Sequence, residues 1–173
     1  GVVNLFDAKG SQVEPIHQIF NPELENYSSF GHSLAIGDSI LFIGAPYKDS
    51  LRVDGTRAFS GMGKVYVYRL TADGWKYSSQ MVPPNLGPQI NFGRRIVWTK
   101  GYCAVTEFYQ GDSERVGKVH IYKENEATKK FDYLATLEPA FHQRADFFGN
   151  SLVMNDSLIV IGTGHIAPDV SYR

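Results

Sequence analysis

The chain has 173 residues, 43% of them hydrophobic, enough to fill one sizeable core and too many for a disordered or low-complexity segment. Its 17 basic and 18 acidic residues leave a formal charge of -1, which excludes a net field that would gather nucleic acid or an anionic membrane surface. The longest apolar runs stop at about six residues, far short of the ~20 that a membrane span needs, so no membrane insertion by this segment is expected.

In chain order, residues 2–6 and 13–20 read as a strand pair, although Pro15 sits where the second strand begins and cannot donate to a ladder. Residues 33–36 and 40–43 are apolar runs on either side of Gly37-Asp38, the pattern of a tight hairpin. After the connection 47–62, residues 64–70 and 75–82 form a second hairpin around the polar turn Thr71-Ala72-Asp73-Gly74. The arrangement then returns as 96–98 and 102–105 around Lys100-Gly101, as 118–123 with 131–137, and as 152–154 with 158–161 around Asn155-Asp156. Two landmarks keep the copies in register. Phe30-Gly31, Phe92-Gly93 and Phe148-Gly149 are spaced by 62 and 56 residues, and Gly1-Val2-Val3, Gly63-Lys64-Val65 and Gly117-Lys118-Val119 by 62 and 54. Periods of this size are left by blades or solenoid coils.

Several of these strands are apolar on both faces, as in Ile40-Leu41-Phe42-Ile43, Val65-Tyr66-Val67-Tyr68 and Leu158-Ile159-Val160-Ile161. Such strands must be covered on both sides, and no segment has the helical period that would supply the cover. The expected fold is therefore all-β, a partial β-propeller of four-stranded antiparallel blades with about three repeats. Residues 1–29 form a half-blade (strands 3 and 4), 30–82 and 92–137 two blades, and 148–173 a second half-blade (strands 1 and 2). Closed propellers need four to eight blades, so the ring is completed by the rest of a longer polypeptide or by partner chains, for instance as a six-bladed two-fold dimer. A chain that opens on Gly1 and not Met fits a processed product or a piece of something longer.

Phe30-Gly31 with Gly44-Ala45-Pro46, the strand Gly63-Lys64-Val65-Tyr66-Val67-Tyr68 and the Trp75 strand resemble FG-GAP repeats, the blades of integrin alpha-subunit propellers. The third copy carries Phe148-Gly149 with Gly162-Thr163-Gly164, and the second replaces Gly-Ala-Pro by Thr106-Glu107-Phe108. The resemblance implies an extracellular or cell-surface (secreted) module that meets protein or glycan partners. Integrin-type blades often hold calcium in an Asp-rich loop between strands 1 and 2, but a turn such as Gly37-Asp38, Lys100-Gly101 or Asn155-Asp156 is too short to wrap an ion. The chain is similar to the compact, calcium-free subtype, and no metal or other cofactor is expected. The sequons at Asn26 and Asn155 suit N-glycosylation of a secreted chain.

No catalytic residue stands out. Cys103 is the only cysteine and reads as a small core residue. His17, His32, His120, His142 and His165 are scattered, Glu107, Asp112 and Glu114 read as a solvated loop, and Arg94-Arg95 with Trp98 reads as strand packing with one exposed arginine. The long connections 47–62, 107–116, 21–29, 83–91 and 138–147 all fall on one side of the expected disc, and binding residues concentrate in such loops. Tyr47, Lys48, Asp49, Arg52, Asp54 and Arg57 are the expected ligand contacts. The expected function is non-catalytic binding, adhesion or scaffolding through that face. The alternatives are a propeller-based carbohydrate-active enzyme and a structural subunit of a larger assembly.

Overall fold

The computed structural model describes residues 1–10, 13–23, 27–52, 54–109, 117–139 and 147–164. Among them every regular element is a β-strand. In chain order these are β1 (Val2–Leu5), β2 (His17–Phe20), β3 (Ser33–Ile36), β4 (Ile40–Ala45), β5 (Ser50–Leu51), β6 (Arg57–Phe59), β7 (Lys64–Thr71), β8 (Gly74–Met81), β9 (Ile96–Thr99), β10 (Tyr102–Phe108), β11 (Gly117–Glu124), β12 (Phe131–Leu137), β13 (Ser151–Met154) and β14 (Ile159–Gly162). Two four-stranded sheets, β3-β4-β7-β8 and β9-β10-β11-β12, are flanked in sequence by the hairpins β1-β2 and β13-β14. All their ladders are antiparallel. The two sheets share even a defect, a register shift at Val67/Tyr68 in one and at the equivalent Ile121/Tyr122 in the other.

The two-faced strands β4 and β7 are covered by neighbouring sheets, whereas among the described residues the expected cover is missing from the last one, where Leu158 and Val160 stay 65% and 59% exposed. Every residue of β4 is buried. On one side Leu41, Ile43, Tyr66 and Tyr68 pack with Val3 and Ile19 of the first hairpin. On the other, Ile40, Phe42, Val65, Val67 and Met81 pack with Ile96, Cys103, Val105 and Tyr122 of the second sheet. Phe42 has no exposed surface and lies 5.2 Å from the rings of both Trp98 and Phe131; truncating such a side chain costs about 3–5 kcal/mol. The second sheet meets β13-β14 less completely. A cleft of about 500 Å³ remains there, lined on its apolar part by Tyr102, Ile121, Leu137, Met154, Leu158 and Ile159.

The repeated Phe-Gly pairs are the joints of this stack. Gly31, Gly93 and Gly149 all adopt left-handed φ of 92°, 96° and 85°. Each donates its N–H to the same equivalent carbonyl, Gly44 at 3.1 Å, Thr106 at 2.9 Å and Gly162 at 3.0 Å. The second landmark meets the first: a Cβ on Gly1, Gly63 or Gly117 would overlap the carbonyl oxygen of Phe30, Phe92 or Phe148 respectively. Backbone therefore rests on backbone between successive sheets, and a side chain at any of these positions would hold them apart.

Three local expectations are corrected. Strand β2 begins at His17, not Val13, because Pro15 offers no N–H to the ladder. The first and third strand 1–2 turns fall one residue later than Gly37-Asp38 and Asn155-Asp156: Gly37 N–H donates to Ile40 O at 2.8 Å and Asn155 N–H to Leu158 O at 3.0 Å, leaving Asp38-Ser39 and Asp156-Ser157 as the loops. Asn155 uses its Oδ1 to accept from Ser157 and Leu158, both at 2.9 Å, which suits the residue before a turn. Gly37 is small because of packing, since a Cβ there would lie 2.7 Å from Trp98 Nε1. Lys100-Gly101 is the turn expected, with φ of 37° and 86° as a type I′ hairpin requires. Finally, 47–62 is not an irregular connection but contains the hairpin β5-β6.

The glycine joints yield a direct test. Gly55 (φ 81°) has open space around its Cα, whereas Gly63 (φ 84°) lies against Phe92. Gly55→Ala is expected to cost about 1 kcal/mol for the left-handed conformation alone. Gly63→Ala adds an overpacking cost of about 1–3 kcal/mol and is expected to lose at least twice as much in urea unfolding. Equal losses would show that the Gly63–Phe92 contact carries no weight.

Candidate functional site

The connection after β4 holds the residues expected to contact a ligand, and it divides them. Lys48 is only 2% exposed, and its ammonium lies 2.8 Å from Glu23 Oε2. Lys64 Nζ and the Tyr66 hydroxyl donate to Glu23 Oε1 at 2.7 and 3.1 Å. Lys48 thus braces the root of the loop from inside. Burial pushes the Glu23 carboxyl up, but the hydrogen bonds from Lys48 and Lys64 outweigh it and bring it down to about 2.

Asp49, Arg52, Asp54 and Arg57 shape the β5-β6 hairpin. Asp49 accepts from Gly61 N–H at 2.8 Å and faces Arg57 Nη1 at 3.4 Å. Arg52 Nη1 donates to the Arg57 carbonyl at 2.9 Å. Asp54 accepts from the Thr56 hydroxyl at 2.6 Å and from its N–H at 2.9 Å, and these bonds hold its carboxyl below the usual range. Both loop carboxylates are thereby engaged within the hairpin. Among the described residues no three of His, Cys, Asp and Glu converge as a metal site would require.

Tyr47 leads out of the hairpin to a second group. Its ring meets His32 edge-on with centroids 6.4 Å apart, and its hydroxyl accepts from Arg94 Nη1 at 3.3 Å. The Arg94 guanidinium lies over the Phe108 ring at 5.4 Å. Arg95 donates from Nε to the Asn150 carbonyl at 3.1 Å and from Nη1 to the Arg94 carbonyl at 2.9 Å. Neither arginine pairs with a carboxylate among the described residues. Burial, then the charges of Arg94 and Arg95, hold His32 below its usual range. His32, Arg94 and Asn150 are equivalent positions, each following a Phe-Gly pair, so the repeat itself brings them to one place. The equivalent residues Ser33 and Arg95 both tie one sheet to the next, Ser33 donating to Gly93 O at 2.7 Å and Arg95 to Asn150 O, one residue beyond the equivalent of Gly93. Sequence reasoning took Arg94-Arg95 as strand packing; comparing the positions just after each Phe-Gly would have picked out the cluster. Trp98, grouped with them by sequence, packs in the core beside Phe42 and Phe131.

The remaining candidates sit inside or beyond reach. His120 is 1% exposed and bonds Glu107 Oε2 through Nε2 and the Thr136 hydroxyl through Nδ1, both at 2.8 Å. Glu107 is therefore a buried partner and not a solvated loop residue, and the pair offers no access to a substrate. Cys103 is fully buried, and burial pushes its thiol far up. Asn155 is exposed at the tip of β13-β14, while Asn26, Asp112, Glu114, His142 and His165 lie outside the described residues. A comparison with protein-family models finds no match, and neither does one with curated proteins.

The Glu23 pair predicts a pH signature. A carboxyl held at about 2 in the folded chain stabilises it above the ordinary value of 4.5 and loses that contribution as the pH falls toward 2. Glu23→Gln is expected to cost about 1 kcal/mol at pH 7, since the carboxylate is partly open to solvent. In urea unfolding over a pH series, its deficit relative to the unmodified chain should shrink between pH 5 and 2; a constant deficit would refute the coupling.

Proposed function

We propose that this chain is a segment of an FG-GAP-type β-propeller that acts as a non-catalytic module, binding a protein or glycan through its long-loop face in an extracellular or cell-surface setting. The observation that carries this reading is the threefold joint. Three Phe-Gly pairs with closely similar φ, the same hydrogen bond and the same glycine pressed against them join the first hairpin, the two four-stranded sheets and the last hairpin in succession, a repetition that stacked blades would require. On that reading residues 30–82 and 92–137 are blades, and 1–29 and 148–173 are halves of blades. The strands that complete the two half-blades, from the same polypeptide or from neighbouring chains, would pair at the edges of β1 and β14, and further blades would stack on the faces.

The reading also gives the connections on one side of the stack a role. The β5-β6 hairpin is braced from beneath by Lys48 and Glu23 and presents Tyr47, Arg52 and Arg57 outward, the last two exposed. Loops held by a rigid sheet stack suit recognition, because little conformational freedom is lost when they bind. The exposed sequon at Asn155 supports a secretory route.

The test is a binding screen of the chain against arrayed glycans and extracellular matrix proteins, run beside a polysaccharide-degradation assay with and without added calcium. Saturable binding that Tyr47→Ala with Arg57→Glu weakens at least tenfold, with the fold retained by circular dichroism, is the expected result. Release of new sugar ends from any polysaccharide would overturn the non-catalytic assignment.

A further inference from the structure

The geometry points to a specific anion subsite at Arg94 and Arg95, taking the carboxylate of an acidic saccharide. This inference deepens the proposed binding role and rests on it. Two consecutive arginines have no carboxylate partner among the described residues, and each guanidinium is held by neutral acceptors only: the Tyr47 hydroxyl for Arg94, main-chain carbonyls for Arg95. A structural arginine ordinarily sits on a carboxylate, as Arg69 does on Glu124 at 2.8 Å and Arg57 on Asp49 at 3.4 Å. Here the fork is positioned with no described carboxylate to compensate its charge.

The positioning is good. Arg94 is fixed over the Phe108 ring, and Phe108 is only 4% exposed, so that face of the guanidinium is already packed. Arg95 is tied to the next sheet through Asn150. Both therefore forfeit little side-chain freedom when an anion arrives. A planar guanidinium matches a planar carboxylate through two parallel N–H···O bonds, each charge-assisted.

The flanks favour a saccharide over an acidic peptide. Tyr47, 37% exposed and bonded to Arg94 through its hydroxyl, offers an amphipathic ring suited to the apolar C–H face of a sugar. His32 lies against Tyr47 and below its usual range, so at neutral pH it brings a ring donor without a further charge. The ligand class that uses every part is an oligosaccharide of uronic acids.

Titration calorimetry at about 50 mM salt tests this with three probes: a galacturonate oligomer, its neutral galactose counterpart of equal length, and a glutamate oligopeptide. The expected result is saturable binding of the uronate oligomer alone, weakened at least tenfold by Arg94→Ala with Arg95→Ala. Arg94→Lys, which keeps the charge but not the fork, is expected to weaken it by a smaller factor and guards against a folding artefact in the double variant. Equal binding of the neutral oligomer, stronger binding of the peptide, or uronate binding indifferent to all three substitutions would overturn the subsite. If uronate binding fails while Tyr47→Ala with Arg57→Glu still abolishes binding to another ligand, the subsite falls and the module reading stands. If no ligand in either experiment binds, both fall.

Discussion

Everything in this molecule depends on glycine meeting backbone where one sheet ends and the next begins. Strands that are apolar on both faces can be buried only if sheets stack closely, and close stacking brings main chain against main chain at the Phe-Gly joints. Gly63 and Gly117 lie against the carbonyls of Phe92 and Phe148 because they have no side chain, and Gly93 and Gly149 accept a φ that other residues resist. In the first two copies the phenylalanine beside the glycine then plugs the space between the sheets. Phe30 and Phe92 are 4% and 0% exposed, and Phe30 meets Tyr66 edge-on at 5.4 Å. One short motif thus sets spacing, hydrogen bonding and core filling together.

This explains why the all-β class, the strand pairs and the two four-stranded sheets were legible in residue order. The joint demands glycine at fixed offsets, and an apolar run of four to six residues between turns can only be a strand when it must pack on both sides. What escaped was set by partners distant in the chain. The turn falls at Asp38-Ser39, the same place in the repeat as Lys100-Gly101 and Asp156-Ser157, and Gly37 just before it is kept small by Trp98 from another sheet. The β5-β6 hairpin escaped because each strand is two or three residues long and is held by Asp49, Arg52 and Arg57 rather than by a hydrophobic pattern.

The weak second copy has a physical account of the same kind. Where the first sheet has small Ala45 and a fully buried Tyr66 on adjacent strands, the second places Glu107 and His120 at the equivalent positions. A carboxylate or an imidazole alone would be costly there, but together, with Thr136, they satisfy one another at 2.8 Å. The substitution is therefore coupled, and it erases the Gly-Ala-Pro signature without disturbing the joint, since Gly93 N–H still finds Thr106 O at 2.9 Å. A motif can decay in letters while its geometry persists.

The candidate site was half legible for a related reason. Residues 47–62 stand out by length, and Tyr47 does lie at the surface, but length says nothing of direction, and Lys48 turns inward to Glu23. The arginines were hidden because Arg94-Arg95 sits at the mouth of a strand, where a basic pair reads as local packing. Only the threefold register shows that His32, Arg94 and Asn150 share one position, and that residues 62 and 56 apart are neighbours in space. A repeat fold brings the same position from each copy to the same place, so differences among the copies, more than their likeness, are where a binding specificity can be written. Of the three residues at that position only Arg94 carries a fixed charge, and Arg95 follows it where the other copies have Ser33 and Ser151.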